Sequence, residues 1–270
     1  MPELPEVETV VRALRQPLIG RTVTGVRNDW PRHIGIPGLD ELRVRIQGCQ
    51  FQAINRRAKY LVFTLTHGET LIVHLKMSGH LAVVDAAKPA DKHVHTVFEL
   101  DNNQELRFRD IRKFGRVYLV PNPEVILGKL GPEPLEPGFT PEVLRERLNG
   151  RTRALKPLLL DQELIAGIGN IYADEALFYA KLHPTRPANT LSQSEITALH
   201  HAIQKVLNMG IEREGASIEL YVKPDGSKGD MQNAVAVFRR TGDPCYECGR
   251  PIERIVLGGR STHFCSNCQK

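Results

Sequence analysis

The chain has no apolar run long enough to span a membrane. No secretory leader is expected either, because Glu3, Glu6 and Glu8 come at once and no long apolar core follows them. A cytoplasmic protein with no membrane partner is expected. There is no internal repeat and no low-complexity tract, which sets aside solenoids and compositionally disordered chains. Cysteines number only five. In a reducing compartment they read as ligands and thiols rather than disulfides.

What is present fits a two-domain globular protein. The 270 residues are 41% apolar, enough for real cores. The formal net charge is +5 and the isoelectric point about 9.0. That balance fits a polyanionic partner without identifying one.

The cysteines carry the most specific spacing. Cys245-x2-Cys248 and Cys265-x2-Cys268 are separated by sixteen residues, the pattern of a four-cysteine zinc site. No βαβ context surrounds either pair, so a redox motif is disfavoured. A short chain end has too little core to fold alone, and one structural Zn2+ supplies the missing stability. No redox or nucleotide cofactor is indicated. Cys49 is left over as a buried thiol. Between the pairs, Ile252 to Val256 and Arg260 to Phe264 form a hairpin around Gly258-Gly259, with Arg260 beside its tip.

Residues 22 to 120 read as short strands rich in β-branched and aromatic residues: 22–26, 60–65, 70–75, 94–100, 105–109 and 116–120. Many short strands predict an antiparallel β-sandwich. Prolines cluster from 121 to 141 and mark a hinge over 131–150. Helices are predicted over 155–165, 171–180 and 194–209, with Ala166-Gly-Ile-Gly-Asn170 as a tight turn. Residues 212–236 lack periodicity and read as a mobile loop. The resulting division is an N-terminal domain over 1–130, the hinge, a helical domain over 151–236 and a zinc finger over 237–270.

The first nine residues, Met1-Pro-Glu-Leu-Pro-Glu-Val-Glu-Thr9, open a helix, because Val7, Val10, Val11, Leu14 and Leu18 recur at helical spacing. Removal of Met1 leaves Pro2 with a secondary amine, whose ordinary pKa is roughly 8. Such an amine attacks a carbonyl-like carbon to give an iminium ion. Glu3 beside it can move protons. By themselves these residues fit an ordinary helix cap better than a catalytic site.

The whole string resembles the start of the bacterial formamidopyrimidine-DNA glycosylases. The likeness continues through Arg56-Arg-Ala-Lys-Tyr60, His74-Leu-Lys-Met-Ser-Gly79, Asp110-Ile-Arg-Lys-Phe-Gly115, Leu130-Gly-Pro-Glu-Pro134, Gly167-Ile-Gly-Asn-Ile-Tyr172 and the cysteine pairs. The resemblance implies an α+β multidomain fold. It has an N-terminal antiparallel β-sandwich with flanking helices, a helix–two-turn–helix module and a β-hairpin zinc finger.

The activity implied is removal of oxidised purines from double-stranded DNA, such as 8-oxoguanine and formamidopyrimidines, with strand cleavage at the abasic site by β,δ-elimination. Pro2 is the implied nucleophile and Glu3 the acid that assists sugar-ring opening. Lys59 and Arg260 are proton donors at the two phosphates. Met77, Arg112 and Phe114 are the implied fillers of the gap left by the extruded base. His74, His93, Arg151, Asn170 and Ser217 are implied backbone contacts, with 212–236 covering the extruded base. His95 reads as packing. The family is bacterial, which implies work at the nucleoid, and a monomer is expected because one strand break needs one active site. Two competing readings are an endonuclease VIII-like enzyme for oxidised pyrimidines, against which Leu4 and the Met77, Arg112, Phe114 set argue, and a non-catalytic zinc-finger DNA-binding relative.

Overall fold

The structure is a computed structural model and describes all 270 residues. The chain divides into two compact units, Met1–Lys129 with Arg213–Asp230, and Leu130–Glu212 with Met231–Lys270. No helix is long and apolar enough to cross a membrane.

In the first unit, helix α1 spans Leu4–Leu18. Glu3 is its N-cap in a capping box: Glu6 Oε2 accepts the Glu3 N–H at 2.8 Å. Pro5 occupies the first turn, where its missing N–H costs nothing. There follow β1 (Val23–Asn28), α2 (Leu39–Ile46), β2 (Phe51–Arg57), β3 (Tyr60–Leu65), β4 (Thr70–His74), β5 (Gly79–Asp85), β6 (Val94–Leu100), β7 (Gln104–Asp110), β8 (Arg116–Val120) and the single turn α3 (Glu124–Leu127). Two four-stranded antiparallel sheets form, in the orders β1-β6-β7-β5 and β2-β3-β4-β8. Val7, Val11, Leu14 and Leu18 of α1 share one core with Phe51, Phe63, Phe98 and Phe108 of the two sheets. The predicted sandwich with its packed helix is therefore present.

The second unit contains α4 (Pro141–Leu148), α5 (Leu155–Leu159), α6 (Asn170–Tyr179), α7 (Gln193–Glu212), β9 (Glu253–Leu257) and β10 (Arg260–Phe264). Residues 131–150, read as a hinge, lie inside this unit. They carry α4, whose Thr140 cap accepts the Val143 N–H.

The helix expected over 155–165 ends at Leu159. Gln162 explains the stop. Its amide donates to the carbonyls of Leu160 and Ile168, both at 2.9 Å, and accepts the Gly167 N–H at 2.9 Å. A side chain that satisfies three backbone groups folds 160–168 into a turn more cheaply than helix would. Four elements of the first unit, α2, β2, β5 and α3, carry no clear period in the sequence.

Residues 213–230, which the sequence groups with the helices, pack in the first unit. Ala216 N–H donates to Glu6 Oε1 at 2.8 Å, and His80 Nε2 lies 3.0 Å from the Lys223 carbonyl.

Candidate active site and metal centre

In the first unit the predicted residues lie at the head of α1, on the turns between strands or at strand ends. Pro2 is buried immediately ahead of the helix, and Glu3 is 3% exposed at its N-cap. The free amides of a helix start disfavour a positive charge at this position. Glu6, which sequence reasoning missed, links two parts of the site. One carboxylate oxygen holds the Glu3 N–H and the other holds Ala216 N–H, next to Ser217. Ser217 Oγ accepts the Gly229 N–H at 3.0 Å, closing its own loop. In sequence Glu6 reads as an ordinary first-turn acid, and nothing there signals a partner 210 positions away.

Lys59 lies in the β2–β3 turn and is 5% exposed. Ala58 before it has φ +52°. Arg56 ties this turn to α1 through Glu8 at 3.2 Å and also donates to the Ala58 carbonyl. On the paired strand, the His74 ring packs edge-on against Tyr60, with centroids 4.5 Å apart. Lys76 N–H donates to His74 Nδ1 at 2.9 Å. The other ring nitrogen, Nε2, then carries the proton and is a donor, the role a phosphate contact needs.

Burial first, then the charges of Lys76 and Lys59, push His74 down to about 3. The ring is therefore a neutral donor at any working pH. The linkage has a definite sign. The unfolded histidine takes up a proton below about 6.5 and the folded one does not, so this stability is complete above 6.5 and is lost as pH falls toward 3. His74→Asn keeps an acceptor for Lys76 N–H and cannot titrate. Its unfolding free energy is expected to fall less steeply over that window, by up to about 1.4 kcal/mol per pH unit. Urea titrations at several pH values read this directly, and parallel curves for the two proteins would refute it.

Met77 follows β4 and is half-buried, while Arg112 and Phe114 are exposed after β7. The Arg112 guanidinium lies 4.9 Å from the Phe114 ring centre. An exposed phenylalanine at 48% is not core packing. Lys76 and Lys113 both have positive φ, +52° and +60°. Left-handed non-glycine residues thus sit beside Lys59, Met77 and the Arg112–Phe114 pair. His93 is half-buried, and its carbonyl accepts the Asp110 N–H. His95 is buried against His33, with Nδ1 2.8 Å from Asp29, as packing requires.

In the second unit, Gly258 and Gly259 at φ +57° and +72° form the two-residue turn of the β9–β10 hairpin. Arg260 pairs with Leu257 beside the tip and is exposed. Asn170, the first residue of α6, donates to the Ser261 carbonyl at 3.1 Å, which brings it next to Arg260. Arg151 is exposed, its guanidinium folded onto the Arg147 carbonyl at 2.8 Å.

Lys156 and Asp174 were missed. Both are fully buried and form a 2.6 Å ion pair. Lys156 also donates to Ser261 O and Thr262 Oγ1, and Asp174 accepts from the backbone and ring of His263. The pair thus grips β10 at Ser261, Thr262 and His263. A lysine inside the apolar run 154–160 gives no sequence signal for it.

The sulfurs of Cys245, Cys248, Cys265 and Cys268 lie within 4.8 Å of one another. Two of the separations are 3.9 and 3.5 Å. Four sulfurs at about 2.3 Å from a tetrahedral Zn2+ are separated by similar spans, and an all-thiolate set suits that ion. The donors present fit one structural zinc. Glu175 fixes the approach to the finger by accepting the amides of Ala236, Val237 and Phe238 at 2.7 to 2.9 Å.

Comparison with known proteins matches the chain from end to end. Residues 1–117 match the formamidopyrimidine-DNA glycosylase N-terminal domain, 130–222 the H2TH domain of the same enzymes, and 242–270 a zinc finger found in FPG and IleRS. The formamidopyrimidine-DNA glycosylase of Desulforamulus reducens is 46% identical and covers 100% of this chain and 99% of its own. That of Herpetosiphon aurantiacus is 48% identical, with 100% of each chain covered. Among solved structures, a Lactococcus lactis FPG variant in complex with a Fapy-dG containing DNA superposes with a TM-score of 0.94 at 39% identity, over 100% of both chains. The Lactococcus lactis Fpg complexed with abasic-site DNA gives 0.93 at 39%, over 99% of both.

Proposed function

The chain belongs to the formamidopyrimidine-DNA glycosylase family, and within that family's activity we propose that Pro2 is the nucleophile. The activity is base-excision repair: removal of oxidised purines, followed by lyase cleavage of the abasic strand. Once Met1 is removed, the Pro2 nitrogen bonds to the anomeric carbon of the damaged nucleotide and the base departs. Glu3 gives a proton to the sugar-ring oxygen as the ring opens to an iminium ion. The iminium acidifies the neighbouring sugar hydrogens, so each phosphate leaves by elimination and no water attacks phosphorus. Lys59 supplies the proton at one phosphate and Arg260 at the other. Zinc, held by the four cysteines, braces the hairpin and takes no part in bond making.

The observation that carries this reading is the head of α1, where Glu3 is the buried N-cap and Pro2 directly precedes it. Met77, Arg112 and Phe114 fill the gap in the duplex, with arginine available to the orphan cytosine. His74, His93, Arg151, Asn170 and Ser217 hold the backbone, and 212–236 covers the extruded base. The partner is duplex DNA with an oxidised purine or an abasic site, met by a monomer in the bacterial cytoplasm.

The test is borohydride trapping. Incubation with duplex containing 8-oxoguanine opposite cytosine should leave a covalent protein–DNA adduct. Without borohydride it should leave a gap bounded by phosphates. An intact duplex that the protein merely binds would instead make it a non-catalytic DNA-binding relative.

A further inference from the structure

Met77, Arg112 and Phe114 stand on two separate turns, and exposed side chains on separate turns do not keep a common geometry unaided. One fully buried carboxylate joins them. Asp110 ends β7 at 0% exposure. Its Oδ2 accepts the Gly115 N–H at 2.7 Å, and its Oδ1 accepts the hydroxyl of Ser78, the residue after Met77. Ser78 Oγ in turn accepts the Arg112 N–H at 2.9 Å. Both ends of the 112–115 loop and the Met77 turn therefore converge on a single side chain. His33 backs it, with Nε2 3.4 Å from Oδ2 and Nδ1 3.1 Å from Thr96 Oγ1.

Two glycines permit the approach. A Cβ on Gly115 would lie 2.3 Å from the Phe108 ring, and one on Gly79 would lie 2.4 Å from the Leu75 carbonyl. Burial raises the Asp110 pKa, but the bonds from His33, Ser78 and Gly115 outweigh it and hold the group at about 2. The acceptor stays ionised, and charge-assisted bonds are about twice as strong as neutral ones.

We propose that Ser78 and Asp110 are positioning residues that lock the Met77 turn and the Arg112–Phe114 loop into one rigid wedge before DNA is met. The inference rests on the wedge role given to those three residues above and extends it to the groups that hold them. A wedge already ordered loses no conformational freedom when it enters the stack, so the cost of extruding the base falls. Chemistry at a sugar that already lacks its base does not need the wedge.

The chain carries its own reporter. Trp30 is its sole tryptophan, and Lys113, between Arg112 and Phe114, places Nζ 4.3 Å over its ring. The experiment uses the zinc-loaded full chain with Met1 removed, as wild type, Ser78→Ala, Ser78→Thr and Asp110→Asn. Ser78→Ala and Asp110→Asn are expected to lower kcat/KM on the 8-oxoguanine:cytosine duplex about tenfold. Borohydride trapping on single-stranded DNA with a preformed abasic site should change less than about twofold. Ser78→Thr, which keeps the hydroxyl, should restore duplex excision. Trp30 emission without DNA should shift in the Ala and Asn variants and not in Thr.

Equal losses on both substrates, or no loss on the duplex, overturn the proposal. If Asp110→Asn does not fold, the Ser78 pair decides. A wild-type chain that traps no abasic DNA defeats the functional reading instead. Trp30 emission then judges the brace alone, and an unchanged spectrum in Ser78→Ala overturns it.

Discussion

A chain that keeps a residue in front of Pro2 will trap no abasic DNA. In that chain the Pro2 nitrogen is part of a peptide bond, and its lone pair is delocalised into the carbonyl. Freed, the same nitrogen is a secondary amine with a pKa of roughly 8 before any perturbation. The amides at the start of α1, which begins at Leu4, favour its neutral, nucleophilic form. The expected loss is on the order of a thousandfold or more, the scale for removing a covalent nucleophile. Pro2→Gly is a milder change, because a primary amine still forms an imine; it should slow trapping without abolishing it. Intact mass establishes which residue comes first in each preparation, and borohydride trapping on abasic duplex gives the rate. Equal adduct from the blocked chain would move the nucleophile elsewhere, and Lys59, 5% exposed on the neighbouring turn, would be the first candidate.

Stripping the zinc will unfold the finger and leave the β-sandwich standing. Around the four cysteines the buried cluster holds little besides Phe178, Ala236, Val237 and Ile252. So small a core cannot offset the entropy of ordering the chain end. A structural zinc contributes roughly 10–16 kcal/mol of apparent binding free energy in comparable fingers. A strong chelator, or Cys265→Ser, should therefore make the amides of β10 exchange rapidly while those of β3 and β4 stay protected. Arg260 loses its fixed hairpin, and duplex affinity should fall on the order of a hundredfold. Retained protection of β10 would mean that the Lys156–Asp174 pair, which grips Ser261, Thr262 and His263, suffices without metal.

Much of the fold was legible because its signals are local. The strands 60–65, 94–100 and 116–120 lie within the bounds that residue type and turn chemistry predict. The β9–β10 hairpin lies where two glycines between strand-forming residues put it. The cysteine spacing carries its own geometry, since two Cys-x2-Cys pairs need only a folded hairpin to bring four sulfurs together. The family resemblance brought in Lys59, Met77, Arg112 and Phe114, which composition and periodicity leave as a solvated charge or core packing. In the structure their turns carry positive φ at Ala58, Lys76 and Lys113.

The sequence by itself determined what is encoded over a few neighbouring residues: helix periods, strand alternation, glycine turns, metal-ligand spacing and the motifs of a family. Only the tertiary structure decided which polar groups meet inside. Glu6 finds Ala216 across 210 positions, and Lys156 finds Ser261 across 105. Ser78 and Asp110 meet across 32. Each is a polar residue that reads as surface until packing buries it. Burial then forces it to find a partner, because an unpaired polar group costs more than the bond returns. That partner is chosen by topology, which no window of sequence contains.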